Sequence, residues 1–267
     1  MIMQYKSTFL ALTLALISVT TLRAQDIYST TGGEFIFGLN ESSFSEEFLA
    51  QYPGASLSGG NLRFTMFFHY THYLNVDFTN NIGMLTGVGI RNVGMITDEV
   101  LPQTVSLSGQ DVAYTNYNIV RRQYLLGVPI GFKVGSFNDH VFFYGGLEYE
   151  LAFHYKEKVW TGSFDRSGKK TKSSEWFGDQ TEVLLPSAFG GVQFPGGVNV
   201  RFKYYLSDFL NPDYTVEANN QDGGLFDISD LSRFSSSQVF FVSLSWQVNT
   251  RDIRSGKFME NMQARLE

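Results

Sequence analysis

The chain has 267 residues, among them 25 Phe and 14 Tyr but no cysteine, and its 20 basic residues against 26 acidic ones give a net charge of −6. The missing cysteines exclude disulfide frameworks, thiolate metal sites and cysteine nucleophiles, and the acidic balance suits nucleic acid poorly. Beyond the first two dozen residues no segment offers the 18 or so unbroken apolar residues of a membrane helix, so a membrane crossing would have to use a closed barrel.

Residues 1–24 read as a secretory signal, with Lys6 at the positive end, an apolar stretch over 9–19 and Ala24 before the expected cut ahead of Gln25. Cleavage removes Lys6, Arg23 and no acid, which leaves 18 basic against 26 acidic residues, a net −8. Residues 25–248 fit one all-β domain and residues 249–267 a tail, where Phe258, Met262 and Leu266 have the spacing of a short amphipathic helix.

Eight alternating segments run along the chain. The first, 34–40, sets Phe35, Phe37 and Leu39 on one face, and a polar stretch over 41–60 comes after it. The second, 61–70, places Leu62, Phe64, Met66, Phe68 and Tyr70 outward and Arg63, Thr65 and His69 inward. In the third, 82–96, Met84, Val88 and Ile90 oppose Gly83, Gly87, Gly89 and Arg91, and a long loop is expected over 97–118. The fourth, 119–134, sets Tyr124, Leu126, Val128, Ile130 and Phe132 against Arg121, Gln123 and Lys133.

A tight turn over 136–140, suited by Asn138 and Asp139, leads to the fifth segment, 141–156. There Val141, Phe143, Leu147, Tyr149, Leu151, Phe153 and Tyr155 share one parity, and Glu148, Glu150, His154 and Lys156 the other. A long loop over 157–181 precedes the sixth, 182–194, whose faces are blurred by Pro186 and Gly190. Pro195, Gly196 and Gly197 turn the chain into the seventh, 198–206, where Val198, Val200, Phe202, Tyr204 and Leu206 oppose Asn199, Arg201 and Lys203. After a polar loop over 207–237 comes the eighth, 238–248, with Phe240, Val242, Leu244, Trp246 and Val248 on one face.

Segments of this length, joined by short and long connections in turn, predict an all-β fold: an eight-stranded, antiparallel, up-and-down transmembrane barrel with short periplasmic turns and long extracellular loops. Its place is the bacterial outer membrane. A soluble barrel would put its apolar parity inside. Here the charged parity carries both signs, Glu34 included, so Arg63, Arg91, Arg121, Lys133, Glu148, Glu150, Arg201 and Lys203 are expected to form a cross-paired charge network in the lumen. A lumen so filled predicts a plug and not a general porin.

The run Tyr124-Leu-Leu-Gly-Val-Pro-Ile-Gly-Phe-Lys133, with a turn and then Phe143-Tyr-Gly-Gly-Leu-Glu148 after it, resembles the PorT-like outer-membrane β-barrel family of Bacteroidota. Residues 83–94 and 199–206 are similar to its earlier and later strands. The resemblance implies a barrel without enzymatic activity or cofactor, and some relatives serve type IX secretion and gliding. It implies outer-membrane lipid, lipopolysaccharide and secretion proteins as partners, no nucleic acid, and a monomer or small complex.

Other chemistries have thinner support in the residues. His69 and Thr71 share a face, as a lipid-modifying hydrolase would need, but no orienting acid is joined to them by spacing. Glu148 and Glu150 point one way, as paired acid and base groups would, yet ion pairing with the arginines explains them better. A narrow channel is the remaining alternative. Residues 87–94 place their glycines wrongly for a dinucleotide loop. Arg166, Lys169, Lys170 and Lys172 read as solvated loop charge, or as groups touching lipopolysaccharide phosphates or an acidic glycan. Asp222, Asp227 and Asp230 miss the EF-hand spacing, and His72, His140 and His154 lack ligand spacing, so no metal is expected.

Overall fold

The structure, a computed structural model, describes residues 26–58, 60–65, 69–105, 112–216 and 224–250. The expected signal sequence and all but the first two residues of the expected tail lie outside them. Eleven strand segments form one antiparallel sheet: β1 (Asp26–Phe44), β2 (Ser56–Ser58), β3 (Arg63–Thr65), β4 (Tyr70–Asp77), β5 (Ile82–Pro102), β6 (Tyr114–Ser136), β7 (Val141–Thr161), β8 (Lys169–Trp176), β9 (Leu184–Gln193), β10 (Val198–Tyr205) and β11 (Phe234–Asn249). A short helix, α1 (Glu46–Gln51), is capped by Ser45, whose Oγ accepts from the Phe48 N–H.

The sheet closes on itself because β1 pairs with β11, from Thr30↔Asn249 to Phe44↔Phe234. The circuit runs β1–β4–β5–β6–β7–β9–β10–β11 and returns to β1. Among the described residues the strand segments number eleven and not eight for a simple reason. Beyond β4, β3 continues along β1, while β2 and β8 pair with the far ends of β5 and β7. Much of what reads as loop over 97–118 and 157–181 is therefore strand, since the polar sequences there continue the backbone ladder of their neighbours.

The faces obey the alternation for most of the wall. Leu126, Val128, Ile130 and Phe132 of β6, Phe143, Leu147 and Tyr149 of β7, and Val200, Phe202 and Tyr204 of β10 are exposed on the outside. Residues 82–92 of β5 lie in register with 124–134 of β6, and the apolar belt spans that height. Eleven residues at about 3.3 Å rise, tilted roughly 40°, reach about 28 Å, close to the ~25 Å apolar band of barrels that cross a membrane. An apolar exterior so continuous is not a water-facing surface.

One departure redirects the wall. In β7 Phe153 is an extra residue: Tyr124 pairs with His154, yet the next residue, Leu125, pairs with Ala152. A bulge of one residue flips every side chain after it. Tyr155, expected outside with Phe153, is buried inside with Glu157, while His154, Lys156 and Lys158 turn outward.

The short connections, residues 78–81, 137–140 and 194–197, lie at one end with Asp26 and Asn249. Gly196 and Gly197 take positive φ of 81° and 87° there, which only glycine adopts freely. At the other end α1 and residues 206–216 and 224–233 fold over the mouth. Phe44, Phe48, Tyr52, Phe209, Leu210 and Leu231 are buried against the inward-facing Val93, Met95, Leu125 and Phe241. An apolar core thus fills the long-loop half of the cylinder.

The belt can be tested with single-cysteine reporters, because the chain has none of its own. In lipid bilayers Leu126→Cys and Phe202→Cys are expected to react with a lipid-soluble maleimide and resist a membrane-impermeant one, whereas Lys172→Cys reacts with both. Labelling of Leu126→Cys by the impermeant reagent would contradict a lipid-facing belt.

Candidate functional site

Across the middle of the lumen, at the base of the apolar core, lies a layer of charge drawn from β1, β5, β7 and β10. Arg91 is fully buried. Its Nε donates to Glu34 Oε2 at 2.9 Å, its Nη1 to Glu148 Oε1 at 2.5 Å and Glu150 Oε1 at 3.0 Å, and its Nη2 to the Tyr73 hydroxyl at 3.0 Å. Lys203 lies 3.0 Å from Glu148 Oε2 and 2.7 Å from Glu150 Oε2, and the Tyr205 hydroxyl donates to Glu150 at 2.6 Å. Arg201 is farther from its carboxylates, 3.5 Å from Glu34 and 3.8 Å from Glu148, and rests instead against the rings of Phe189, Tyr73 and Tyr144.

Three cations thus face three carboxylates. Buried ions survive only when matched and hydrogen-bonded in this way, since an unpaired buried charge costs several kcal/mol or more. The local sequence makes room for the layer. A Cβ on Gly127 would overlap Glu148 Oε1 and Cγ of Glu150, so β6 must pass the carboxylates without a side chain.

The eight residues expected to share one network divide into separate groups. Arg91, Glu148, Glu150, Arg201 and Lys203 meet in the central layer, joined by Glu34. Lys133 pairs with Asp77 at 2.6 Å nearer the short-turn end, with Tyr28 and Asn75 as further partners. Arg121 lies within the apolar core, over the Phe234 ring, where its partners are Glu99 at 2.8 Å and Glu157 at 3.2 Å, and Arg233 reaches Glu99 at 2.9 Å. Arg63 has no carboxylate within ion-pair distance among the described residues; it donates to the backbone and side-chain oxygens of Asn92. Glu99, Glu157 and Arg233 were missed because all three fall in stretches that read as loop. Only the inward alternation of 91, 93, 95, 97 and 99 could have found the first.

Between the charge layer and the short-turn end the lumen opens into a cavity of about 730 Å³, with Tyr28, Tyr73, Tyr144, Asn75, Asn199 and Arg201 on its wall. The catalytic alternatives find little geometry here. His69 Nδ1 accepts the Asn92 N–H, and the Thr71 hydroxyl is engaged by Gly32 O and Gln247. Glu148 and Glu150 are held by cations and not free for acid or base work. Asp227 and Asp230 accept from the N–H groups of Ser229 and Ser232, and Asp222 lies outside the described residues. Among the described residues no metal-ligand cluster occurs.

Glu99 sits beyond the belt. Burial would raise its carboxyl, but Arg121 and Arg233, with a hydrogen bond from Thr97, outweigh burial and hold it down to about 2. Its folded value lies below the ordinary 4.5, so its contribution is fully present above pH 4.5 and is lost as pH falls towards about 2. Stability measured against pH should show an acid-sensitive step in that window that Glu99→Gln abolishes; an unchanged profile would remove Glu99 as its origin. In urea unfolding of the refolded barrel, Glu148→Ala is expected to cost about 3–5 kcal/mol by leaving Arg91 and Lys203 underpaired. Gly127→Ala should cost about 1–3 kcal/mol by crowding the layer.

No family model matches this chain, and no curated protein does. Among solved structures it is similar to Ail, the attachment invasion locus protein of Yersinia pestis, in complex with the heparin analogue sucrose octasulfate. That similarity has 10% identity, 84% of this chain and 100% of that one covered, and a TM-score of 0.34. Ail solved without the analogue gives 10% identity, 83% and 98% coverage and a TM-score of 0.33. The outer membrane protein OprG from Pseudomonas aeruginosa gives 10% identity, 85% and 97% coverage and a TM-score of 0.31. Likeness at these scores carries no argument about what this chain does.

Proposed function

We propose that the protein is a sealed integral β-barrel of the bacterial outer membrane, without enzymatic activity, acting as a structural or interaction component. The observation that carries this reading is the filled lumen: a neutralised charge layer beneath an apolar core, inside a wall whose outer face is apolar. A water path would have to cross both fillings. The exterior belt supports a place in lipid, and a closed barrel is the all-β form that leaves no backbone group unpaired there. With the lumen shut, the surfaces left for partners are the long-loop end, the outer wall and the short-turn mouth.

The resemblance of residues 124–133 and 143–148 to PorT-like barrels supports a finer reading, in which the protein serves alongside type IX secretion or gliding machinery, with outer-membrane lipid as its other partner. The short-turn end, with its cavity and both ends of the barrel domain, would then face the periplasm, where such machinery is reached.

Two measurements test the reading. In planar bilayers the wild-type barrel is expected to give no steady conductance steps, and regular steps would favour the narrow channel instead. Affinity purification of the tagged protein from its native outer membrane should bring down secretion components; a clean monomer would count against the secretion link while leaving the sealed barrel standing.

A further inference from the structure

The bulge at Phe153 has a consequence outside the barrel. Beyond it, β7 turns His154, Lys156, Lys158 and Trp160 outward, and their cross-strand neighbours lie on the same face. Tyr124, His154 and Trp176 form the lowest row, directly over the belt. Their rings stack, with centroids 5.5 Å apart for Tyr124 and His154 and 4.1 Å for His154 and Trp176. In the next row Arg122 pairs in register with Lys156, and above it Lys158 with Lys172. Lys170 completes the patch over the Trp160 ring. Of the basic run noted in the sequence, Lys169 falls on the opposite face of β8, and Arg166 lies over Trp160.

Arg122, Lys156, Lys158, Lys170 and Lys172 thus share one outward face, and among the described residues none of them has a carboxylate within ion-pair distance. Like charges directly opposed on neighbouring strands repel, so the patch is a surface awaiting counter-charge. The Nε of Arg122 is buried without a hydrogen-bond partner. Burial and the neighbouring Arg122, Lys170, Lys172 and Lys156 push the Lys158 ammonium below its ordinary pKa.

We propose that this face of β6, β7 and β8 is a binding site for a phosphorylated glycolipid of the outer leaflet, its phosphates held by Arg122, Lys156, Lys158 and Lys172. The order of the tiers identifies the class of ligand. Acyl chains lie along Leu126, Val128, Tyr149 and Leu151, the sugar ring meets the aromatic row, and phosphate reaches the cations above it. A soluble anion would use the cationic rows alone, and only a membrane-embedded amphiphile uses all three. The site rests on the outer-membrane reading, because the belt fixes which end of the ligand is up.

The test uses the full mature protein refolded in detergent micelles, with binding measured by native mass spectrometry and by thermal unfolding. Bisphosphorylated lipid A is expected to bind and to stabilise the barrel, and dephosphorylated lipid A to bind at least about tenfold more weakly, as charge-assisted contacts are lost. The triple change Lys156→Ala, Lys158→Ala and Lys172→Ala should weaken lipid A by a similar factor, while Lys169→Ala on the opposite face leaves it unchanged. Should the triple variant fold poorly, Lys170→Glu with Lys172→Glu on β8, a strand exposed along its whole length, reads the same loss.

Equal affinity for the two forms of lipid A, or unchanged binding by both sets of variants, would overturn the proposal. Inorganic phosphate that binds as tightly as lipid A would reduce the site to a simple anion site. A heparin fragment that binds where lipid A does not would make it a glycan surface. Failure of the wild type to fold into micelles as a barrel would sink the outer-membrane reading and this site with it.

Discussion

The pairing of β1 with β11 is the interaction on which the other features rest. It spans residues 30–44 of the first strand and closes the sheet into a cylinder, while the short segments β2, β3 and β8 each pair along one side. In a medium without water each unpaired backbone N–H or C=O costs several kcal/mol, so closure is the condition for an apolar exterior. Gly32 is part of that closure: a Cβ there would overlap the carbonyl of Trp246, which packs against it from β11. Closure also defines an inside, and only with an inside does the second face of each strand acquire partners from across the lumen.

What fills that inside is unusual in being layered. Around Arg91 the contents are ionic, and Val93 and Met95, further along the same inward face of β5, begin an apolar core that α1, Phe209, Leu210 and Leu231 cap from above. A second ionic group around Glu99 is enclosed in it, between Met95 and Leu101 along β5, tying β5 and β6 to Arg233 just ahead of β11. The two ionic layers have the same logic. Each is closely matched in charge, and in each an arginine reaches across from a part of the chain far away in sequence, its fork meeting several acceptors at once. A lumen filled in this way supports the proposed sealed barrel, in which function moves to the surfaces.

Those surfaces are shaped by one inserted residue. Without the extra Phe153, alternation would have sent Lys156 and Lys158 into the barrel and Tyr155 and Glu157 into the open. The bulge exchanges them, giving Arg121 its carboxylate partner Glu157 inside and lining up cations outside above an aromatic row. The outer wall thus changes character along its strands, apolar below the bulge and cationic above it.

The amino-acid sequence by itself determined the all-β class, the outward apolar belt, the three short turns and the inward placement of Arg91, Arg121, Lys133, Glu148, Glu150, Arg201 and Lys203. Period-two alternation and turn chemistry are local, and a residue's parity can be read without knowing its neighbours across the sheet. Partners were not legible in this way. Which carboxylate meets which cation depends on register and on contacts across the lumen, and Asp77, Glu99, Glu157 and Arg233 gained their roles only from these. The faces of β9 stayed hidden because Pro186, Ala188 and Gly190 on its outer side are small and carry little contrast with the inner side. The strand extensions, the apolar cap and the bulge at Phe153 were decided by tertiary structure alone. Their polar or mixed sequences become strand, core or kink only because a neighbouring backbone or an empty mouth is there to receive them.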